Sequence, residues 1–195
     1  LRFQSTGRPL PRSLTTDVAD WQAVVLADHR AWYGAGAPAQ VSGAFVLQYL
    51  LQVPAHTATT GARAGMRVQA LGDLTFELGP GGVPRLVEIG AVEPCGGDLS
   101  ERLARAELDY RAIAEPLARE YRSTRPMGRH QRLGMVTDIW AEAARMVRTS
   151  VGHVELAEPR RTSCCLIYAL PGCVECSGCP RTRPAGLRVQ GLRNT

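Results

Sequence analysis

The chain has 195 residues, 45% of them hydrophobic and 21% charged. That is enough for one domain with a real core, and the balance excludes wholesale disorder. The net charge of +5 is modest, and every basic residue is Arg, with no Lys. It favours an anionic small molecule or an acidic protein partner, while scattered Arg without a recognition motif give no ground for a nucleic-acid partner.

Residues 1–15 carry Arg2, Arg8, Arg12, Pro9 and Pro11 with little hydrophobic periodicity, which predicts an extended arm. Val18, Trp21, Val25 and Trp32 fall near one face of a helix over 17–32, with His29 beside it. Gly34 to Pro38 breaks that helix. A second is predicted over 40–52, with Val41, Phe45, Gln48 and Gln52 on its face and Pro54 as its end. The period then changes to two. Met66, Val68 and Ala70, then Leu74, Phe76 and Leu78, alternate with polar or small residues around the turn cluster Gly79-Pro80-Gly81-Gly82, so a hairpin or meander is predicted over 66–92. Asp98 or Ser100 caps the next helix, whose stripe is Leu103, Tyr110, Ile113, Leu117 and Tyr121, with a kink or break expected at Pro116. Arg129 to Arg148 reads as a helix on the spacing of Val136, Ile139, Trp140, Ala143 and Val147. The expected fold class is α+β, several helices around a small antiparallel sheet over residues 1–157. A chemically distinct segment follows over 158–195 and ends in a mobile tail from Arg181. There is no run of about 18 apolar residues, so no membrane span is expected. No charged-then-apolar leader opens the chain, so the cytoplasm is the expected location.

Five of the six Cys lie between 164 and 179. A secreted disulfide framework would spread them through a shorter chain, whereas clustering points to a metal or redox site. The doublet Cys164-Cys165 is followed, after ten residues, by Cys176-Ser177-Gly178-Cys179. A two-residue spacer brings two sulfurs onto one centre, and Pro171-Gly172 turns the chain back towards the doublet. Four thiolates make a soft site, suited to Zn²⁺ or to an iron–sulfur cluster. Structural zinc sites prefer two Cys-x-x-Cys knuckles. Adjacent side chains diverge and chelate one tetrahedral ion poorly, while two irons bridged by sulfide can each take one of them. Spacing alone therefore favours [2Fe–2S] over zinc.

The order Cys164-Cys165, ten residues, Cys176, two residues, Cys179 resembles the C-terminal motif of the FhuF-like ferric-siderophore reductases. Arg161-Thr162-Ser163 before the doublet, Leu-Ile-Tyr after it and Leu170-Pro171-Gly172 in the loop match as well. Weaker similarity reaches the helix around Gln40 to Leu51, the hairpin and the Gly134 to Trp140 region. The resemblance implies a cytoplasmic iron–sulfur oxidoreductase with one [2Fe–2S] cluster on Cys164, Cys165, Cys176 and Cys179. Its activity would be one-electron reduction of Fe³⁺ in a siderophore, most often a hydroxamate, fed by an electron-donor protein or small reductant. An iron–sulfur electron relay or redox sensor, and a structural zinc protein on the same four Cys, are the alternatives.

Cys173 departs from the pattern. It creates Cys173-x-x-Cys176-x-x-Cys179-Pro180, but the fourth Cys of a bacterial ferredoxin run is missing, since position 183 is Arg. Cys173 reads as a bystander thiol near the cluster or a substitute ligand, and Cys95 as a small residue in a turn. Arg161, and less so Arg160, are candidates to offset cluster charge or steer an anionic complex. His29, His56, His130 and His153 stand in no motif with the Cys and read as ordinary histidines. Trp140 reads as core. Tyr168 is a candidate to pack on the cluster or line a cleft. Asp138 reads as a cap or pair within its own helix, with no assigned chemistry.

Overall fold

Residues 1–152, 160–176 and 178–182 are described by a computed structural model of the chain. Four helices carry the fold: α1 (Ala19–Tyr33), α2 (Ala39–Arg63), α3 (Leu99–Glu120) and α4 (Arg129–Ser150). Six short strands accompany them: β1 (Arg2–Gln4), β2 (Arg12–Ser13), β3 (Met66–Val68), β4 (Thr75–Leu78), β5 (Pro84–Glu88) and β6 (Val92–Pro94). The α+β class stands. The expected mobile tail falls largely on 183–195, and the junction at 157/158 within 153–159; both lie outside the described residues.

Helix α2 is the hub and packs against α1, α3 and α4. Its buried face includes Ala44, Leu47, Leu51, Ala55, Ala58 and Ala62, and the alanines let neighbouring backbones come close. Contrary to the sequence reading, α2 does not end at Pro54 but runs 25 residues through it. A proline inside a helix costs about 3 kcal/mol. Leu50, Leu51, Val53, Ala55 and Ala58 on both sides of Pro54 are buried, and their packing outweighs that local cost. Helix α3 likewise continues past Pro116 as one helix instead of breaking. Its start matches the sequence: Asp98 accepts from the Glu101 backbone N–H and Glu101 returns the bond to Asp98 N–H, a capping box.

The strands form two sheets. One has the order β1-β5-β4-β2 and the other pairs β3 with β6. The β4–β5 hairpin and the β3–β6 pair are antiparallel as expected, but β1 runs parallel to β5, so the larger sheet is mixed. The first fifteen residues are thus extended but not free. Arg2–Gln4 pair with Leu86–Glu88, and Arg12–Ser13 with Phe76–Thr75. Glu88 holds the turn between these two strands by accepting from the backbone N–H groups of Thr6 and Gly7. Burial works against its charge, yet those bonds keep its carboxyl below the ordinary range.

One close approach locks the sheet to α1. The Trp21 indole N–H donates to the Gly82 carbonyl at 2.7 Å. Gly82 has φ +74°, and a Cβ there would lie 2.8 Å from Val25 Cγ2, so only glycine fits.

Candidate metal centre

The cysteine segment is laid on one face of α4. Gln131, Gly134 and Asp138 lie three and seven residues apart, which places them on that face. Gln131 Nε2 donates to the Cys164 carbonyl at 2.7 Å. Thr162 Oγ1 lies 3.2 Å from the Gly134 carbonyl. A Cβ at Gly134 would stand 3.1 Å from both Ser163 Cβ and Thr162 Oγ1, so the bare helix backbone is what admits the loop. Asp138 is buried and accepts four hydrogen bonds. Thr162 N and Oγ1 reach Oδ1 at 2.8 and 2.9 Å; Ser163 N reaches Oδ2 at 2.8 Å, joined by Ser163 Oγ. Asp138 therefore does not pair within its helix; it receives the two residues that precede the doublet.

Beyond the doublet, Leu166 takes a left-handed conformation (φ +65°), a strained choice for a branched side chain. It directs its N–H to Cys164 Sγ at 3.4 Å. A 3₁₀ turn over Ile167–Ala169 follows, and Leu170 is buried with Ala37 and Val41 at the start of α2. Pro171-Gly172 then turns the chain, with Gly172 at φ +78° and Cys173 N–H bonded to the Leu170 carbonyl, a type II pattern. The knuckle closes through Cys179 N–H to the Cys176 carbonyl at 2.9 Å. The two halves are tied by Arg161 N–H to the Gly178 carbonyl at 3.0 Å.

The result brings Cys164, Cys165, Cys176 and Cys179 together. Cys165 and Cys179 are buried, and Cys164 and Cys176 are half-buried. All four thiols are free. Burial, opposed by the Leu166 N–H, and the nearby Cys179 and Cys165 hold the Cys164 thiol above its usual range. Burial, then Cys165 and Cys179, push Cys176 up to about 11, with Arg161 pulling the other way. Sulfurs from the doublet thus face sulfurs from the knuckle. Among the described residues, no group of three or more His, Cys, Asp or Glu side chains is drawn close enough to hold a metal ion. Four soft donors in two facing sets suit two irons spanned by sulfide better than one tetrahedral ion.

Arg161 sits beside this cradle with only 18% of its side chain exposed. Its Nε lies 3.7 Å from Asp138 Oδ2, and an Nη2 contact of 3.4 Å reaches Gln48 Oε1. Among the described residues the Nε itself has no hydrogen-bond partner, a buried donor left over next to a site that would carry negative charge. Arg160 is exposed and grips the carbonyls of Pro180 and Thr182 at 3.1 and 2.7 Å, closing the ends of the segment.

The other residues singled out in the sequence have surroundings of their own. Cys173 packs against the Ala37–Val41–Leu170 cluster. Cys95 bonds through its N–H to the Gly65 carbonyl and, like Cys173, is free. Trp140 is core, stacked on Tyr110 at 5.3 Å. Tyr168 lies under the Arg181 guanidinium at 4.3 Å. His29 is buried against Phe45 and Tyr33, while His153 lies outside the described residues. The sequence reading missed Gln131 and Asp138 as partners of the site. Their seven-residue separation is a signal for one helix face, but nothing local says what that face meets.

The class of protein that this segment belongs to is an iron–sulfur protein, on its similarity to a known domain. Residues 161–181 match the family model described as the FhuF 2Fe-2S C-terminal domain. In that segment the chain is FhuF-like, as its motif implied, and its cofactor is a [2Fe–2S] cluster. No curated protein and no solved structure matches the chain significantly. No helix among the described residues is long and apolar enough to cross a membrane.

Proposed function

We propose that the chain is a cytoplasmic ferric-siderophore reductase whose cluster ligands are Cys164, Cys165, Cys176 and Cys179. The observation that carries this reading is the approach of the doublet and knuckle sulfurs to one another, with the doublet's end of the segment bonded to α4, within the stretch that matches the FhuF domain. Cys164, Cys165, Cys176 and Cys179 would hold the two irons of the cluster through their sulfurs. The cluster supplies one-electron transfer. Siderophores hold hard Fe³⁺ far more tightly than Fe²⁺, so one electron loosens the complex and releases the metal. The chain's own residues set the conditions. Buried Cys165 and Cys179 keep water from one side, and half-buried Cys164 and Cys176 mark the side of approach. The Leu166 N–H and the Arg161 guanidinium favour negative charge on sulfur. Arg160, Arg161 and Arg181, within a net charge of +5, favour an acidic electron donor or a ferric complex that carries anionic groups, and the substrate class read from the motif is a ferric siderophore of hydroxamate type.

Anaerobic purification should give iron and acid-labile sulfide in equal amounts and an EPR signal on reduction. Substituting Cys176 by Ser should abolish that signal. Stoichiometric zinc without sulfide overturns the cluster. The reduced protein mixed with a ferric hydroxamate and an Fe²⁺ trap should reoxidise. A loaded protein that stays reduced is an electron relay or sensor and not a reductase.

A further inference from the structure

The cluster segment depends on one carboxylate that its own motif does not contain. Asp138 lies on α4, 24 residues before Thr162, and is 8% exposed. Both its oxygens are occupied in pairs: Oδ1 by the backbone and hydroxyl of Thr162, Oδ2 by the backbone and hydroxyl of Ser163. Two successive backbone N–H groups aimed at one carboxylate leave the peptide planes ahead of Cys164 little rotational freedom. Gln131 fixes the Cys164 carbonyl from the same helix face, and Gly134 leaves room for the loop to lie down. Three α4 residues therefore orient the doublet from outside the motif. A buried carboxylate beside an anionic site also disfavours added negative charge there. The Arg161 guanidinium, 3.7 Å away, opposes that effect.

We propose that Asp138 is the positioning residue of the cluster: it sets the direction in which Cys164 and Cys165 present their sulfurs and, balanced by Arg161, biases the potential at which the site accepts an electron. The proposal rests on the [2Fe–2S] reading and adds a residue to it. Asp138→Asn keeps the volume but turns an acceptor into a donor that faces N–H and O–H donors, and it removes the charge. Thr162→Val removes the hydroxyl bond to Asp138 Oδ1 and leaves the charge in place.

Both variants are compared with the wild type as purified holoprotein. The readouts are far-ultraviolet circular dichroism, the rate of iron release to a chelator and the midpoint potential. With helix content unchanged, Asp138→Asn should release iron about tenfold faster or more, the loss of charge-assisted hydrogen bonds. Its potential should move upward by about 59 mV for each tenfold change in the one-electron equilibrium. Thr162→Val should release iron about threefold faster, for the loss of one of the four bonds to the carboxylate, with no change in potential. A structural role alone would not move the potential and the release rate separately. Wild-type release and potential in Asp138→Asn overturn the proposal. If that variant fails to fold, an unchanged release rate in Thr162→Val overturns it instead. A wild type without iron and sulfide defeats the cluster reading itself, a different result from a loaded wild type with unaffected variants.

Discussion

Arg161 is held between a carboxylate and a thiol, and its position shows how single residues govern this site. It precedes the doublet, contacts Asp138 and Gln48, and lowers the proton affinity of Cys176. Arg161→Gln removes the positive charge from the cradle. The midpoint potential should then fall, by on the order of 1 kcal/mol or a few tens of millivolts for a partly screened charge at close range; redox titration measures it, and an unchanged potential would show that the guanidinium is too well solvated to matter. His29 illustrates a different cost. Burial holds its imidazole below the ordinary 6.5, against the pull of Asp28, and its Nδ1 has no partner among the described residues. The unfolded chain takes up that proton at higher pH than the folded one. This contribution to stability is complete above about pH 6.5 and is lost as pH falls below it. The denaturation midpoint should therefore drop between pH 7 and pH 5.5. His29→Phe, which keeps the ring contacts with Phe45 and Tyr33, should flatten part of that slope. Burial lowers His56 as well, so some slope should remain.

Between α3 and α4 the chain is fastened by buried polar contacts that no hydropathy pattern reveals. Gln22 on α1 donates to the Tyr121 hydroxyl and the Arg122 carbonyl, and it accepts from the backbone and hydroxyl of Thr124. The Tyr121 hydroxyl donates in turn to the Gly43 carbonyl on α2. Gln22→Ala strands those groups, and urea denaturation should show a loss of about 1–3 kcal/mol. Gln22→Glu keeps the two acceptor bonds from Thr124 and should recover some of it. Elements with strong local signals were legible: the capping box of α3, the hairpin turn after β4 and the 3–4 spacing of α4. The failures were at proline. Pro54 read as a stop and Pro116 as a kink or a break because a sequence window sees the lost N–H but not the neighbouring helices whose packing outweighs it. The β1 strand was missed for a related reason. Three residues without periodicity become a strand only because β5, some eighty positions on, offers an edge.

The molecule as a whole divides its stability between two sources. The four-helix body has its own core, built from Trp21, Leu47, Leu51, Phe76, Tyr110, Met135 and Ile139 among others. The cysteine segment rests on the α4 face, on the small Ala37–Val41–Leu170 cluster and on Leu166. Removal of the cluster by anaerobic chelation should therefore leave helix content nearly intact while proteolysis within 160–182 accelerates. Global unfolding on chelation would show that the cluster is part of the core. The chemistry of this protein was set by composition and order along the chain: four soft donors, a doublet and a knuckle ten residues apart, can be read without a fold because ligand type and spacing are local properties. Only the tertiary structure decided which surface would receive that segment. Asp138, Gln131 and Gly134 act on the doublet because α4 carries them to one face and buries a carboxylate against two backbone amides. Partners that far apart in the chain meet through packing, which leaves no mark in any short stretch of residues.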